Sequence, residues 1–263
     1  MSRPRLVATD LDGTLLRTDG SLSDRTRDVL AALDRRGVPV VIVTGRPMRW
    51  LADLRPVVGA HGLAIVSNGA AVYDVAADEA RDVRGIGVAA GLELARRIEE
   101  RLPGVTFAVE SVAGIALAPG FVDVERIPEG SRVGSLDELW TEPALKLLVR
   151  HPDADHDRLR CAVTEAVGDL ATPTWSMPGL VEISAAGVTK ATALAALADR
   201  LGVAVADAIA FGDMPNDVAM LRWAGRSYAV ANAHPDAAEA ATHRAPANDD
   251  DGVATVLAEL FDL

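Results

Sequence analysis

The sequence predicts an α/β protein: a doubly wound parallel sheet interrupted by a smaller α+β domain. Apolar strand-like runs alternate with amphipathic helices near both ends of the 263-residue chain, as in right-handed β–α–β units. The middle of the chain instead carries several short strand-like runs between turn residues. We therefore expect a core made of residues 1–83 and 187–263, with an inserted α+β domain at 84–186.

The first core segment is predicted to start with a short apolar strand and a helix. Ser23 is a suitable N-cap for that helix and Gly37 a suitable end. The apolar run that follows is continuous, which is typical of a parallel strand buried on both faces. A helix from Pro47, a third strand and a hairpin strand complete the segment. The predicted strands and first helix are LVATD, SDRTRDVLAALDRRG, VPVVIVTG, LAIVSNG and AAVYDV.

The inserted region and the last segment differ in the order of their predicted elements. The insertion is predicted to contain helices over GLELARRIEERL and DHDRLRCAVTEAVG, and strands over VTFAVES, GIALAPG, ALKLLVR, TPTWSM and LVEIS. The last segment returns to alternation, with the predicted elements TKATALAALADRLG, AIAFGD, PNDVAMLRWAG, RSYAV and GVATVLAELF.

Composition excludes several classes of function. The net charge of −12 argues against a nucleic-acid-binding surface, which needs a basic stripe. The single cysteine, Cys161, excludes an intramolecular disulfide and is expected to be a buried apolar filler. The sequence shows neither a secretion signal nor a membrane span, so we expect a cytoplasmic protein without membrane partners.

The first strand ends in two acidic residues that project from the same side of an extended chain. Asp10 and Asp12 are one residue apart and are followed by Gly13. Two carboxylates about 4 Å apart repel each other, so solvent, a basic partner or a cation must offset the repulsion. The alternative is simple turn chemistry, since Asp and Gly are common where a strand ends.

Polar residues also follow the other apolar runs, where ligands bind in open parallel sheets. Thr44, Gly45 and Arg46 offer a hydroxyl, backbone N–H groups and a cation, which suit an anion site or a plain turn. Asp213 and Asp217 flank a predicted helix start, where a bound cation or helix capping would explain them. The Ser67–Gly69 stretch is a weaker signal.

Lysine usage gives an independent clue. The 26 basic residues are 24 arginines and two lysines, Lys146 and Lys190. Lys190 lies near a predicted helix start, where a lysine in an arginine-rich chain indicates a need for a compact ammonium in place of a broad guanidinium. The alternative is chance, since two lysines must lie somewhere. Three or four carboxylates, a lysine and an anion pocket predict a Mg²⁺ site for phosphoryl chemistry. The glycine-rich phosphate loop of nucleotide-binding proteins is missing from the sequence.

The order of motifs resembles that of the haloacid dehalogenase (HAD) superfamily, and more narrowly the Cof-type hydrolases. The motifs that carry the resemblance are DLDGTL, TGR, the isolated lysine and GDMPND, supported by SNGA, VANA and NDDDGVA. The resemblance covers both core segments well and implies a Rossmann-like HAD core. The insertion resembles the family's α+β cap in length and strand content, but little in specific residues.

The resemblance also implies roles for individual residues. Asp10 would be the nucleophile that forms an aspartyl phosphate, and Asp12 the general acid and base. The remaining roles are Mg²⁺ binding by the Asp10 carboxylate, the Asp12 main-chain carbonyl and Asp213, with Asp217 in support, and phosphoryl binding by Thr44, Lys190, Gly45, Asn216 and Arg46.

The expected function is Mg²⁺-dependent hydrolysis of a small-molecule phosphate ester, with a sugar phosphate as the leading substrate class. A sugar-phosphate mutase of the same superfamily is the alternative, and a receiver-like phospho-acceptor domain a remote one. The cap is expected to select the substrate, and Lys146 could contact it. A solvated Lys146 on the cap surface is the favoured alternative. The oligomeric state stays open.

Overall fold

The computed structural model describes residues 3–51, 58, 60–122 and 127–263. The chain divides into two compact units. One unit, called the core below, comprises Met1–Arg81 and Thr189–Leu263, and the other, called the cap, comprises Asp82–Val188.

The first core segment begins with a strand and a capped helix. The Ser23 hydroxyl accepts the N–H of Thr26 at 3.0 Å, as expected of an N-cap. Only one 3₁₀ turn, Met48–Trp50, is described of the helix predicted from Pro47, and most of the remainder lies outside the described residues. The elements are β1 (Leu6–Thr9), α1 (Asp24–Arg35), β2 (Val40–Val43), β3 (Leu63–Val66), β4 (Ala71–Asp74) and β5 (Glu79–Arg81).

The cap consists of short strands with helices between them. Its elements are α2 (Val88–Arg101), β6 (Thr106–Ser111), β7 (Gly114–Leu117), β8 (Arg132–Val133), α3 (Leu136–Leu139), β9 (Lys146–Arg150), α4 (His156–Val167), β10 (Ala171–Thr174) and β11 (Val181–Ala185).

The second core segment contains two elements that the sequence did not indicate. They are α7 (Pro235–Ala240) and β14 (His243–Ala245), which are too short for a periodic apolar pattern to be visible. The elements are α5 (Lys190–Arg200), β12 (Ala208–Gly212), α6 (Val218–Trp223), β13 (Arg226–Val230), α7 (Pro235–Ala240), β14 (His243–Ala245) and α8 (Gly252–Phe261).

The core sheet has the strand order β14-β13-β12-β1-β2-β3-β4-β5. The six strands from β14 to β3 run parallel, and β4 and β5 continue the sheet antiparallel. From β1 the chain proceeds to β2 on one side, and it later returns to β12 on the other. The α/β prediction is confirmed, and the end of β1 is the switch point at which such sheets bind ligands.

The cap sheet has the order β10-β11-β9-β6-β7-β8 and is antiparallel except between β7 and β8. One face packs on α2 and α4 through alternating strand residues such as Leu147 and Val149. Lys146 therefore projects from the opposite face. Cys161 is exposed, contrary to expectation, because α4 buries the stripe that includes Leu159 and Val163 instead.

Among the described residues, none of the helices combines the length and the apolar composition that crossing a bilayer requires.

Candidate active site

Three neighbouring strands end in predicted site residues. Asp10 follows β1 directly, Thr44 follows β2, and Asp213 follows β12. Because β1 pairs with both other strands in parallel, their carboxyl ends share one edge of the core sheet. The strands themselves are fully apolar or nearly so, so the polar chemistry is confined to this edge.

Lys190 is the first residue of α5 and is almost completely buried, with 1% of its surface exposed. Its ammonium donates to Asp10 Oδ1 and, at 2.6 Å, to Asp217 Oδ1. Asp10 is 6% exposed and Asp217 is fully buried. Buried charges are costly unless they are paired. The pairing of Lys190 with Asp10 and Asp217 therefore holds together three segments that are far apart in the chain.

Asp217 uses both of its carboxylate oxygens within the protein. Oδ1 accepts the Lys190 ammonium, and Oδ2 accepts the backbone N–H groups of Asp213 and Met214, each at 3.0 Å. The carboxylate therefore orients Lys190 and closes the turn that carries Asp213.

One partner of Asp213, Thr14, could not be singled out from the sequence. The Thr14 hydroxyl donates to Asp213 Oδ1 at 2.6 Å, and both residues are buried. Thr14 belongs to the wide turn Leu11–Leu15 that follows β1, in which Gly13 adopts a left-handed φ of 74°. The turn thus brings Thr14 back toward β12 while Asp12 stays exposed.

Residues near the carboxyl terminus hold this turn in place. The Asn232 side chain donates to the Gly13 carbonyl at 2.8 Å, and its Oδ1 accepts the N–H of Asn248 at 3.0 Å. Asn248 in turn donates from its side chain to the Leu16 carbonyl at 3.0 Å. The VANA and NDDDGVA motifs are therefore partners of the turn after β1.

Thr44, Gly45 and Arg46 form the turn after β2. The Thr44 hydroxyl accepts the Arg46 N–H at 3.0 Å, and Thr44 is 1% exposed. The Arg46 guanidinium donates to both oxygens of Asp12, with Nε at 2.8 Å from Oδ2. In this structure Arg46 thus engages a carboxylate that was predicted to be catalytic.

Asn216 lies in the 3₁₀ turn Pro215–Asp217 that precedes α6. Its side-chain amide donates to Asn68 Oδ1 at 3.1 Å. A methyl group added at Gly45 would lie 3.1 Å from that same Asn68 oxygen and 3.7 Å from the Asn216 amide nitrogen. Asn216, Asn68 and Gly45 are therefore immediate neighbours.

The site carries more negative than positive charge. Burial raises the pKa of Asp10 well above its ordinary value, and the Lys190 ammonium is the largest opposing influence. Burial, reinforced by Asp217, raises the pKa of Asp213 to about 6, although the Thr14 hydrogen bond opposes the shift. For Lys190, burial alone would lower the pKa, but Asp10 and Asp217 outweigh it and raise the pKa above its ordinary value.

The donor set fits a divalent cation. Carboxylate oxygens of Asp10, Asp213 and Asp217 lie within 4.8 Å of one another, and all three residues are buried. Three carboxylates face one ammonium, so a cation would relieve their mutual repulsion. Oxygen ligands of this kind suit Mg²⁺.

Lys146 belongs to the cap and is not solvated, contrary to the favoured alternative. It is 3% exposed, and its ammonium pairs with the carboxylate of Glu182 on the neighbouring strand β11. Glu110 on β6 lies directly opposite Lys146 in the sheet register and is equally buried. The reason is that the second face of the cap sheet is buried as well, which alternation along one strand does not reveal.

Comparison with known proteins identifies similar chains. A family model described as haloacid dehalogenase-like hydrolase matches residues 7–257. An HMP-PP phosphatase from Enterobacter sp. (strain 638) is 30% identical over 242 residues, covering 88% of this chain and 85% of that protein. A 5-amino-6-(5-phospho-D-ribitylamino)uracil phosphatase from Bacillus subtilis (strain 168) is 26% identical, covering 96% and 94% of the two chains.

The fold also matches solved structures. The crystal structure of SMU.1108c from Streptococcus mutans UA159 superposes with a TM-score of 0.84 at 24% identity, covering 99% of this chain and 100% of that one.

Proposed function

The chain belongs to the haloacid dehalogenase-like hydrolases, and on this basis we propose that it is a Mg²⁺-dependent phosphatase of small phosphorylated metabolites. One observation carries the proposal: Asp10, at the end of the central strand, is paired with Lys190 and lies beside Asp213 and Asp217. The curated relatives are named for phosphorylated metabolites, and one name includes a phosphorylated ribityl group. Sugar and sugar-alcohol phosphates are therefore the leading substrate class.

In the proposed reaction, a carboxylate oxygen of Asp10 attacks the phosphorus atom while the bond to the leaving oxygen breaks. Asp12 donates a proton to that oxygen. Water then attacks the phosphorus of the aspartyl phosphate, and Asp12 accepts the proton. The bond between phosphorus and Asp10 breaks, which releases inorganic phosphate and restores both carboxyl groups.

The Asp10 and Asp213 carboxylates and the Asp12 main-chain carbonyl would hold Mg²⁺. The ion would supply positive charge that offsets the carboxylates and the phosphoryl oxygens. We assign Asp217 a supporting role, because its two oxygens already hold Lys190 and the Asp213 turn.

The phosphoryl group is proposed to contact Thr44, Gly45, Lys190 and Asn216. The Thr44 turn follows β2 beside Asp10, and Lys190 already touches the Asp10 carboxylate. Arg46 would have to leave Asp12 before that carboxyl could protonate a leaving group. The released guanidinium would then be available to a phosphoryl oxygen.

We propose that the cap selects the substrate and that Lys146 is one residue through which it does so. A buried ammonium paired with Glu182 is fixed in position, which suits recognition better than a mobile surface lysine does.

The test is phosphate release from a panel of sugar, polyol, nucleotide and cofactor phosphates, with and without Mg²⁺. We expect Mg²⁺-dependent release of inorganic phosphate and preference for one class of ester. Isomerised phosphate ester without free phosphate would instead identify a mutase. An inactive panel, together with failure to turn over an aryl phosphate, would contradict the proposal.

A further inference from the structure

The turn that follows β3 has an unusual backbone. Ser67, Asn68 and Gly69 have φ values of 50°, 57° and 100°, so three consecutive residues lie in the left-handed region. All three are buried. Residues other than glycine adopt this conformation rarely, and strained backbone of this kind concentrates at functional sites.

The backbone of this turn supports the Thr44–Arg46 turn. The Ser67 N–H donates to the Arg46 carbonyl at 3.0 Å, and the Asn68 N–H donates to the Thr44 carbonyl at 3.1 Å. The two bonds tie the turn after β3 to the turn after β2.

The same turn packs directly against the start of α5. A methyl group added at Gly69 would lie 2.2 Å from the carbonyl oxygen of Thr189, the N-cap of the helix that begins at Lys190. Only glycine fits at this distance, particularly with a φ of 100°.

The Asn68 side chain reaches a third segment, since Asn68 Oδ1 accepts the Asn216 amide at 3.1 Å. Two nearby polar atoms are buried and have no hydrogen-bond partner among the described residues, namely Ser67 Oγ and Asn216 Oδ1. Buried polar atoms are nearly always paired, so a bound water or ligand would complete these two. Asn216 Oδ1 can only accept a hydrogen bond, so its partner would be a donor such as water and not an ionised phosphoryl oxygen.

We infer that the Ser67–Gly69 turn is the floor of the phosphate-binding pocket and that Asn68 is a positioning residue within it. The inference rests on the proposed function and adds a residue to it. Asn68 sets the Asn216 amide relative to the Thr44–Arg46 turn, while Gly69 fixes the distance to the helix that carries Lys190. The Asn68 side chain therefore affects phosphate affinity indirectly, by holding the Asn216 side chain.

The φ of Asn68 permits a clean test, because glycine accepts a left-handed backbone without strain. Asn68→Gly removes only the side chain, and we expect it to raise the inhibition constant of orthovanadate and to lower kcat/KM by about tenfold. Asp78→Gly is the matched control, since Asp78 has the same φ of 57° in the turn between β4 and β5. It should leave both constants unchanged.

A double-mutant cycle separates positioning from general structural support. In an Asn216→Ala background, Asn68→Gly should change the vanadate constant by less than about threefold. If Asn68→Gly still weakened vanadate binding by the full factor of about ten in that background, Asn68 would not act through Asn216. Asn68→Asp, which keeps the backbone preference and adds negative charge, should also weaken vanadate binding, and it provides the test if Asn68→Gly fails to fold.

Wild-type vanadate affinity in folded Asn68→Gly and Asn68→Asp would overturn the inference while leaving the proposed function intact. A wild-type protein that neither releases phosphate from any ester nor binds orthovanadate would contradict the proposed function, and this inference with it.

Discussion

The two lysines of the chain lie in different units and invite comparison. Both are buried, at 1% and 3% exposed for Lys190 and Lys146, and both pair with carboxylates. By contrast, none of the arginines among the described residues is buried. A chain with 24 arginines thus uses lysine where the cation is enclosed, since a compact ammonium needs less space than a guanidinium fork.

The two lysines differ in where their partners come from. Lys190 starts a helix and meets Asp10 and Asp217, which follow different parallel strands. Lys146 and Glu182 lie on adjacent antiparallel strands of one sheet. Loops converge at the edge of a parallel sheet and can be rearranged around a ligand, whereas the face of an antiparallel sheet is continuous. On this basis we propose a chemical role for Lys190 and a role in substrate recognition for Lys146.

Removal of metal should have the largest effect. The three aspartates around Lys190 leave an excess of negative charge, so chelation should abolish turnover of an aryl phosphate. The Lys146–Glu182 ion pair of the cap balances its own charge, so it should not depend on a metal ion. Mg²⁺ should also raise the midpoint of thermal unfolding, which is measurable without turnover. Full activity in excess chelator would contradict the assignment of the core cluster as a metal site.

Lys190→Arg should have the next largest effect. The ammonium is held between two carboxylates, and a guanidinium cannot take its place without shifting them. A displacement of about 1 Å can cost on the order of 10²-fold, so we expect at least about that loss in kcat/KM with a normal fold. Circular dichroism and steady-state kinetics check both parts.

Lys146→Arg is the matched control for that substitution, because it makes the same chemical change at the other buried lysine. We expect turnover of a small aryl phosphate to survive it. Near-wild-type activity in Lys190→Arg, or equal losses in both variants, would break the distinction between the two lysines.

Mg²⁺ affinity should depend on pH below neutrality. Burial and Asp217 raise the pKa of Asp213 to about 6, so protons compete with the metal below that pH. Apparent affinity should fall by about tenfold per pH unit there, as calorimetric titration can measure. In the metal-free protein, the raised pKa of Asp213 stabilises the folded state most fully below pH 3.8, the ordinary pKa of an aspartate. This contribution is lost as the pH rises through about 6. A pH-independent affinity between about pH 5 and 7 would contradict the buried setting of Asp213.

Lys146→Ala should have the smallest effect on activity and a selective one, although it leaves Glu182 buried without its partner and should destabilise the cap. We expect it to raise KM for the preferred substrate from the panel by several-fold and to leave the aryl phosphate nearly unchanged. A proportional change with both substrates would assign Lys146 to cap stability instead.

The sequence predicted the parts of the site that depend on local pattern. Asp10, Thr44 and Asp213 could be located because each directly follows an apolar run, and parallel strands end at a common edge. Lys190 could be singled out because lysine is rare in this chain.

Contacts between distant segments could not be predicted in this way. Thr14 reaches Asp213 across 199 positions, and Asn232 reaches Gly13 across 219. The strained turn at Asn68 looked like ordinary turn chemistry, since its φ values and its partners exist only in three dimensions. The alternative of a solvated Lys146 was wrong for a similar reason, because alternation along one strand shows which face a residue occupies but not whether that face is buried.

We propose that Asp10 carries the phosphoryl group during turnover. Borohydride reduces an acyl phosphate to an alcohol but does not reduce a carboxylate, so it marks the phosphorylated residue for peptide mass spectrometry. Asp12→Asn should slow hydrolysis of the intermediate while still allowing an aryl phosphate to react, which lets the intermediate accumulate. We expect reduction at position 10 in this variant, and none when Asp10→Asn is added. Phosphate release without reduction at position 10, or reduction at Asp213 or Asp217 instead, would contradict it.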